Sequence, residues 1–326
     1  MNHVFKTVTA VVLSIIIVTA VMLPLSGCGE AKKYADAAAL AESGDWEAAR
    51  EAFYELGFYM DADDRVTECD YELAKEAMEE EDYESAEKRF EELGDYEDSA
   101  ELLTECRYNI AMRLFDEGNY DGAFDIFSSI EEYKESHRYG MICMLTNDTE
   151  RFLSLLCEGI TTNLAESGMR VRFVETNDSY TVSSVRAFRI IPSGAVSEDE
   201  IPYKAYLCLL HSDKDGRLSA KGDITSIMIF CEFDGSDGDA FGDASQIYMA
   251  GAYESTRILA GDEGIDEHLV DIRAAMTDAL TDIDHGEPIT SRNGIYKGLD
   301  IYIGAMYSDG QLSLFHTVDV PELMQK

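Results

Sequence analysis

The order of apolar and polar positions changes character along the chain. From Val8 to Leu25 the run VTAVVLSIIIVTAVMLPL carries no charge, and eighteen apolar-leaning residues approach what a helix needs to cross a bilayer core. From about residue 31 to 146 the apolar positions recur at helical spacing. Tyr71, Ala74 and Met78 fall at i, i+3 and i+7, and Ala86, Phe90 and Leu93 at i, i+4 and i+7. Each triplet therefore lines one face of a helix. TNDTE (146–150) reads as a loop with N-cap candidates that leads into the helix RFLSLLCEGITTNL. After it come strand-like runs rich in β-branched and aromatic residues: MRVRFVET (169–176), YTVSSVRAFRII (180–191), KAYLCLLHS (204–212) and ITSIMIFCEF (224–233). Two helices are expected over 241–281, broken at Gly261-Asp262-Glu263-Gly264, then a closing hairpin of 295–306 and 311–318 through Tyr307-Ser308-Asp309-Gly310. Strands that come in runs, not alternating with helices, predict an α+β domain with a mainly antiparallel sheet and helices on one face.

The helical region repeats itself. Tyr34, Tyr71 and Tyr108 are 37 residues apart, and so are Ala37, Ala74 and Ala111. The same interval separates Trp46, Tyr83 and Tyr120, then Ala49, Ala86 and Ala123, then Phe53, Phe90 and Phe127. Leu56, Leu93 and Ile130 follow, with Tyr59, Tyr96 and Tyr133, and finally Cys69, Cys106 and Cys143. Breaks at Gly44-Asp45, Glu81-Asp82 and Gly118-Asn119 split each unit into a longer and a shorter helix, and Gly94 ends the shorter one where a left-handed residue suits. A helix pair with one apolar face cannot cover it alone, so neighbours stack. A closing helix is expected near 134–147.

Gly44-Asp45-Trp46, Ala49, Phe53 and Leu56 resemble the tetratricopeptide (TPR) repeat, in which a Gly-Asp-Tyr turn is followed by small and aromatic positions of the second helix; Ala37 falls at that family's small first-helix position. The period differs, 37 residues here against about 34 in the family, and a Leu-Gly-x-Tyr-x-Asp linker replaces its usual Asp-Pro. The resemblance implies stacked helical hairpins that present a surface to a protein or peptide. The expected fold is thus multi-domain: a TPR-like helical-hairpin solenoid over 29–147, followed by an α+β domain over 148–326 that carries no family motif.

The first 28 residues bear on location. Residues 1–28 hold no acidic residue and one lysine, Lys6. At the end of the apolar run, Leu25-Ser26-Gly27-Cys28 resembles the lipobox of bacterial lipoprotein signal peptides, with a branched apolar residue, two small ones and then the cysteine. The resemblance implies that Cys28 becomes the mature N-terminus and carries lipid on its sulfur, at the extracytoplasmic face of the cell membrane. Two or three acyl chains hold a protein firmly without the polybasic patch that a single chain requires. An uncleaved transmembrane anchor is the alternative, because length alone does not separate anchor from signal.

Charge and motif content narrow the function. The 26 Lys+Arg against 65 Asp+Glu leave a net charge of −39, which repels nucleic acid and anionic headgroups. Residues 29–149 concentrate this, with 35 acidic against 11 basic side chains. Runs such as Glu79-Glu80-Glu81-Asp82 offer a face for a basic partner, although such a run is more often the solvated side of a helix. The GxSxG, HExxH, GxGxxG and GxxxxGK[ST] patterns are absent, so no catalytic residue and no cofactor is expected. Asp213-Lys214-Asp215-Gly216 opens like a calcium loop, but Ile224 stands where the closing glutamate belongs. Asp234, Asp237, Asp239 and Asp243 are the weak candidates for a hard cation. His268, His285 and His316 are scattered and are expected as surface or satisfied core histidines. Apart from Cys28, the cysteines (Cys69, Cys106, Cys143, Cys157, Cys208, Cys231) form no CxxC pair; those of the repeat are expected as small apolar packing residues, too far apart to bridge. The expected role is a lipid-anchored binding scaffold, with an envelope enzyme or small-ligand receptor sited in the α+β domain as the alternative.

Overall fold

A computed structural model describes residues 29–176, 185–195, 197, 200–212, 223–284, 287 and 289–321. They form two compact units that divide between Ile110 and Ala111. The lipobox, the 213–216 loop and His285 lie outside the described residues.

The first unit contains α1 (29–42), α2 (Trp46–Leu56), α3 (Ala62–Glu79), α4 (Tyr83–Leu93) and most of α5 (Ser99–Asp116). Its turns follow from two local requirements. The chain must reverse within three residues, which takes a left-handed residue, and φ is +81° at Gly44 and +62° at Glu81. The new helix then needs a cap, so Asp45 accepts from the Ala48 N–H and Asp82 from the Ser85 N–H. Between pairs, Gly57 and Gly94 end the short helices with φ of +55° and +60°.

Packing explains why particular side chains recur. Ala37, Ala41, Ala49, Phe53 and Cys69 form one buried cluster, and Ala74, Ala86, Phe90 and Cys106 form the next. The alanines let paired helices approach, and each phenylalanine fills the gap. Tyr34 sets its ring edge on Phe53 at 5.4 Å and donates its hydroxyl proton to Asp61 at 2.6 Å. One repeat later Tyr71 meets Phe90 at 6.3 Å and donates to Asp98 at 2.5 Å. The tyrosine thus ties each long helix to the linker that starts the next pair. A second correspondence exchanges charge: Arg50 donates to Asp70 at 2.6 Å, while Arg107 donates to Glu87 at 2.9 Å. Arg50 and Glu87 are 37 residues apart, as are Asp70 and Arg107, so the ion pair is kept with its signs swapped.

The second unit opens with the end of α5, α6 (Tyr120–Ser129) and α7 (Ser136–Asn147). The repeat's chemistry persists there. Gly118 is left-handed at +79°, Asn119 caps α6 through the Gly122 N–H, and Ala111, Ala123, Phe127 and Cys143 are buried. The expected loop at 146–150 is a single residue. Asp148 closes α7 and caps α8 (Thr149–Glu166), its carboxylate accepting from the Arg151 N–H at 3.3 Å.

A seven-stranded sheet follows, in the order β1-β2-β3-β4-β7-β6-β5, and each neighbouring pair is antiparallel. Its strands are β1 (Val171–Thr176), β2 (Val185–Pro192), β3 (Tyr203–Ser212), β4 (Asp223–Asp234), β5 (Ile289–Tyr296), β6 (Leu299–Ser308) and β7 (Gln311–Asp319). The helices α9 (Gly238–Ala260) and α10 (Ile265–Asp284) are split at Gly261–Gly264 as the sequence implies. The closing hairpin is a three-stranded meander, because 295–306 is not one strand. Lys297 and Gly298 both have positive φ, +46° and +81°, and turn the chain so that Tyr296 pairs with Leu299. Asp309 and Gly310 do the same at the expected second turn, with +53° and +84°.

Side chains alternate across the sheet. Leu207, Leu209, Ile227, Ile229, Ile301, Ile303, Leu314 and Val318 are buried on the face that meets the helices. Gly251 of α9 comes so close to Ile229 that an added Cβ would sit 2.7 Å from it. The opposite face holds a smaller cluster of Ala187, Tyr206 and Cys208, flanked by Met228 and Phe230.

Candidate functional site

The repeat surface is acidic and polar, with one local exception. Tyr54, Phe58 and Met60 are 71%, 96% and 71% exposed, although they are among the larger apolar side chains of the first unit. They occupy the last turn of α2 and the linker after it. The Glu79–Asp82 run is solvent-facing, and Asp82 is spent as a cap.

Within the second unit a cleft of about 570 Å³ opens among α7, α8 and α9. Its floor is Glu254, a carboxylate only 5% exposed, held by the helix face that α9 turns toward α8. Gly159 of α8 makes room for it: an added Cβ would lie 2.5 Å from Glu254 Oε2. Arg257, one turn on, donates from Nε to that oxygen at 2.8 Å and from Nη1 to Asp262 at 2.9 Å. Burial works against the guanidinium charge, and the bonds to Asp262 and Glu254 outweigh it, so the Arg257 pKa is raised. His137 closes one side, its Nε2 donating to the Ile258 carbonyl at 3.1 Å and its Nδ1 2.8 Å from Glu131. Glu158, Thr162, Asn163, Glu166 and Tyr253 complete the polar lining. Arg257 already matches the Glu254 charge, so the further acids of the cleft are Glu158 and Glu166.

A second cavity, about 230 Å³, lies between α10 and the β5–β6 hairpin. His268 stacks on Tyr296 with ring centroids 4.1 Å apart, and its buried Nε2 has no hydrogen-bond partner among the described residues. Burial lowers the His268 pKa against the opposing pull of Asp271. Behind it His316 of β7 is wholly buried. Thr256 donates its hydroxyl proton to the Ala252 carbonyl and so accepts from His316 Nε2–H at 3.3 Å; this leaves His316 Nδ1 a buried lone pair with no partner among the described residues. Burial, with a smaller contribution from the His268 charge, pushes the His316 pKa down to about 3. Of the two expectations for His316, surface or satisfied core, the structure places it in the core, yet only half satisfied among the described residues. No spacing signal in the sequence links it to His268, because α10 and β7 are far apart in the chain and only the tertiary fold sets their charges near enough to interact.

Two of the four carboxylates named as cation candidates, Asp234 and Asp237, are used locally. Asp234 accepts from the backbone and hydroxyl of Ser236 at 2.9 and 2.7 Å, and Asp237 caps α9 by accepting from the Asp239 and Ala240 N–H groups at 3.0 Å. Asp239 lies in the first turn of α9 and Asp243 one turn further on. Among the described residues no group of three or more His, Cys, Asp or Glu side chains is arranged to hold a metal ion. Cys69, Cys106, Cys143, Cys157, Cys208 and Cys231 are free thiols. Burial raises the thiols of Cys69, Cys106 and Cys157 to about 11 and that of Cys208 to about 12, which keeps them protonated and unreactive at neutral pH. Among the described residues no helix is long and apolar enough to cross a membrane. No family model, curated protein or solved structure matches this chain.

Proposed function

We propose that this chain is an extracytoplasmic lipoprotein, held at the cell membrane by lipid on Cys28, whose TPR-like repeats bind a protein or peptide. The reading is carried by the repeated helix pair itself. Its buried Ala and Phe positions and half-buried Tyr recur in register, and exposed positions such as Glu42, Glu79 and Asp116 or Glu47, Glu84 and Asp121 stay acidic, as in a scaffold whose inner face is structural and whose outer face offers one charge to a partner. The acidic outer face favours a basic partner, recruited at rates that fall with ionic strength. The proposal contains no catalytic step.

Mass spectrometry of the N-terminal peptide tests the anchor: a thioether-linked diacylglyceryl group on Cys28, lost with Cys28→Ser, is expected. Crosslinking of the full-length chain in its own envelope tests the scaffold. A partner retained by the native protein and released by Glu79→Lys/Glu80→Lys is expected; the same capture by both proteins at low and high salt would refute the acidic-face assignment. The cleft around buried Glu254 supports a second reading, a receptor for a small cationic ligand in the α+β unit. Calorimetric titration with arginine and with spermidine tests it, and equal heats from native protein and Glu254→Gln would dismiss it.

A further inference from the structure

The geometry points to a second, non-covalent membrane contact: Tyr54, Phe58 and Met60 lie against the lipid surface beside the anchor. This inference rests on the anchored reading above. The three side chains fall within seven residues and project into solvent, Phe58 almost fully. Their counterparts 37 residues on are Glu91, Asp95 and Glu97, and 74 residues on Ser128, Glu132 and Lys134. All six counterparts are polar and exposed, so the backbone position faces outward in every repeat and only the first repeat fills it with apolar groups. Folding does not require them there. Met60 even takes a left-handed φ of +53°, as Glu97 and Lys134 do at +48° and +47°.

Their position in the hairpin names the occupant. α1 and α2 are joined by three residues, and Tyr34 packs on Phe53, so the helices run antiparallel and the end of α2 lies beside the start of α1. Tyr34 also holds the linker directly, through Asp61 and through the Tyr59 ring at 6.3 Å. Tyr34 is five residues from Gly29, about 7.5 Å of helix rise. The exposed patch and the residue next to Cys28 therefore sit at one end of the hairpin, where lipid chains would leave the protein. An aromatic and methionine cluster at that end adds apolar area at the headgroup boundary and fixes the angle at which the first repeat stands on the membrane. Asp61, Asp63 and Asp64, with Glu30 and Glu55, outnumber Lys32 and Lys33 at this end and disfavour anionic headgroups, so zwitterionic lipid is the suitable probe.

The test uses the full-length chain in a Trp46→Tyr background, since Tyr83 and Tyr120 fill that position in the other repeats. Phe58→Trp and, as control, Asp95→Trp are reconstituted into phosphatidylcholine vesicles containing acyl-chain-brominated phosphatidylcholine. A ring about 5–10 Å into the boundary should lose about half its emission or more at position 58, with none lost at 95. Both positions are exposed, and unchanged far-UV circular dichroism verifies the fold. Equal emission from both variants, in protein that floats with the vesicles and carries lipid on Cys28, overturns this contact alone; so does burial of position 58 by a protein partner, read as a blue shift without bromine quenching. Quenching at position 58 in a chain whose Cys28 proves unmodified supports the contact and removes the thioether anchor instead.

Discussion

Gly159 and Glu254 touch at the floor of the cleft, and the structure fixes the sign of what happens when Gly159 becomes alanine. In an open helix, Gly→Ala stabilises by about 1 kcal/mol. Here the new Cβ would stand 2.5 Å from Oε2 and 3.0 Å from Cδ of Glu254. The carboxylate must swing aside, breaking its 2.8 Å bond from Arg257. Crowding of this kind costs about 1–3 kcal/mol, before the weakened ion pair is counted. The net expectation for Gly159→Ala is a loss of about 1–2 kcal/mol. Glu254→Ala removes the obstacle and leaves Arg257 its bond to Asp262. In that background Gly159→Ala should stabilise by about 1 kcal/mol, so the effect reverses sign and the coupling is about 2–3 kcal/mol. Urea unfolding of the four proteins, followed by circular dichroism, measures this cycle. Additive effects, or stabilisation by Gly159→Ala alone, would show that Glu254 is not fixed where the geometry puts it.

Three further outcomes follow from named contacts. His316 stays neutral in the fold, with its pKa near 3 against about 6.5 unfolded, so the unfolded chain takes up a proton that the native state refuses. Stability should therefore fall as pH drops from about 6.5 toward 3, by up to about 1.4 kcal/mol per unit from this group, and the difference between native protein and His316→Leu should flatten above pH 7. Arg107→Glu should cost about 0.5–1 kcal/mol by setting a like charge against Glu87 and Glu91, and Glu87→Arg should recover it by reproducing the Arg50–Asp70 polarity; no recovery in a thermal melt would show the swapped pair to be coincidental. The five thiols Cys69, Cys106, Cys157, Cys208 and Cys231, all raised by burial, should label with iodoacetamide at pH 7.5 only after denaturation, and rapid labelling of the native protein would contradict that burial.

The helical half was legible because its signals are local. A left-handed residue, a capping Asp or Asn and an i, i+4 apolar stripe all act within a few residues, and repetition at 37 stated them three times. The strands β1 to β4, the split between α9 and α10, and the turn at Asp309-Gly310 were readable for the same reason. β5 was not, since Ile289–Tyr296 is polar and mostly exposed, and becomes a strand by pairing with β6 across the Lys297-Gly298 turn. The sequence by itself determined which segments are helix or strand and which of their faces must be covered. It took the packed fold to put β7 between β4 and β6, to have α8 yield a glycine to a buried glutamate of α9, and to bring His316 of β7 to Thr256 of α9. These depend on groups far apart in the chain, and steric fit and burial select them only once the elements have packed.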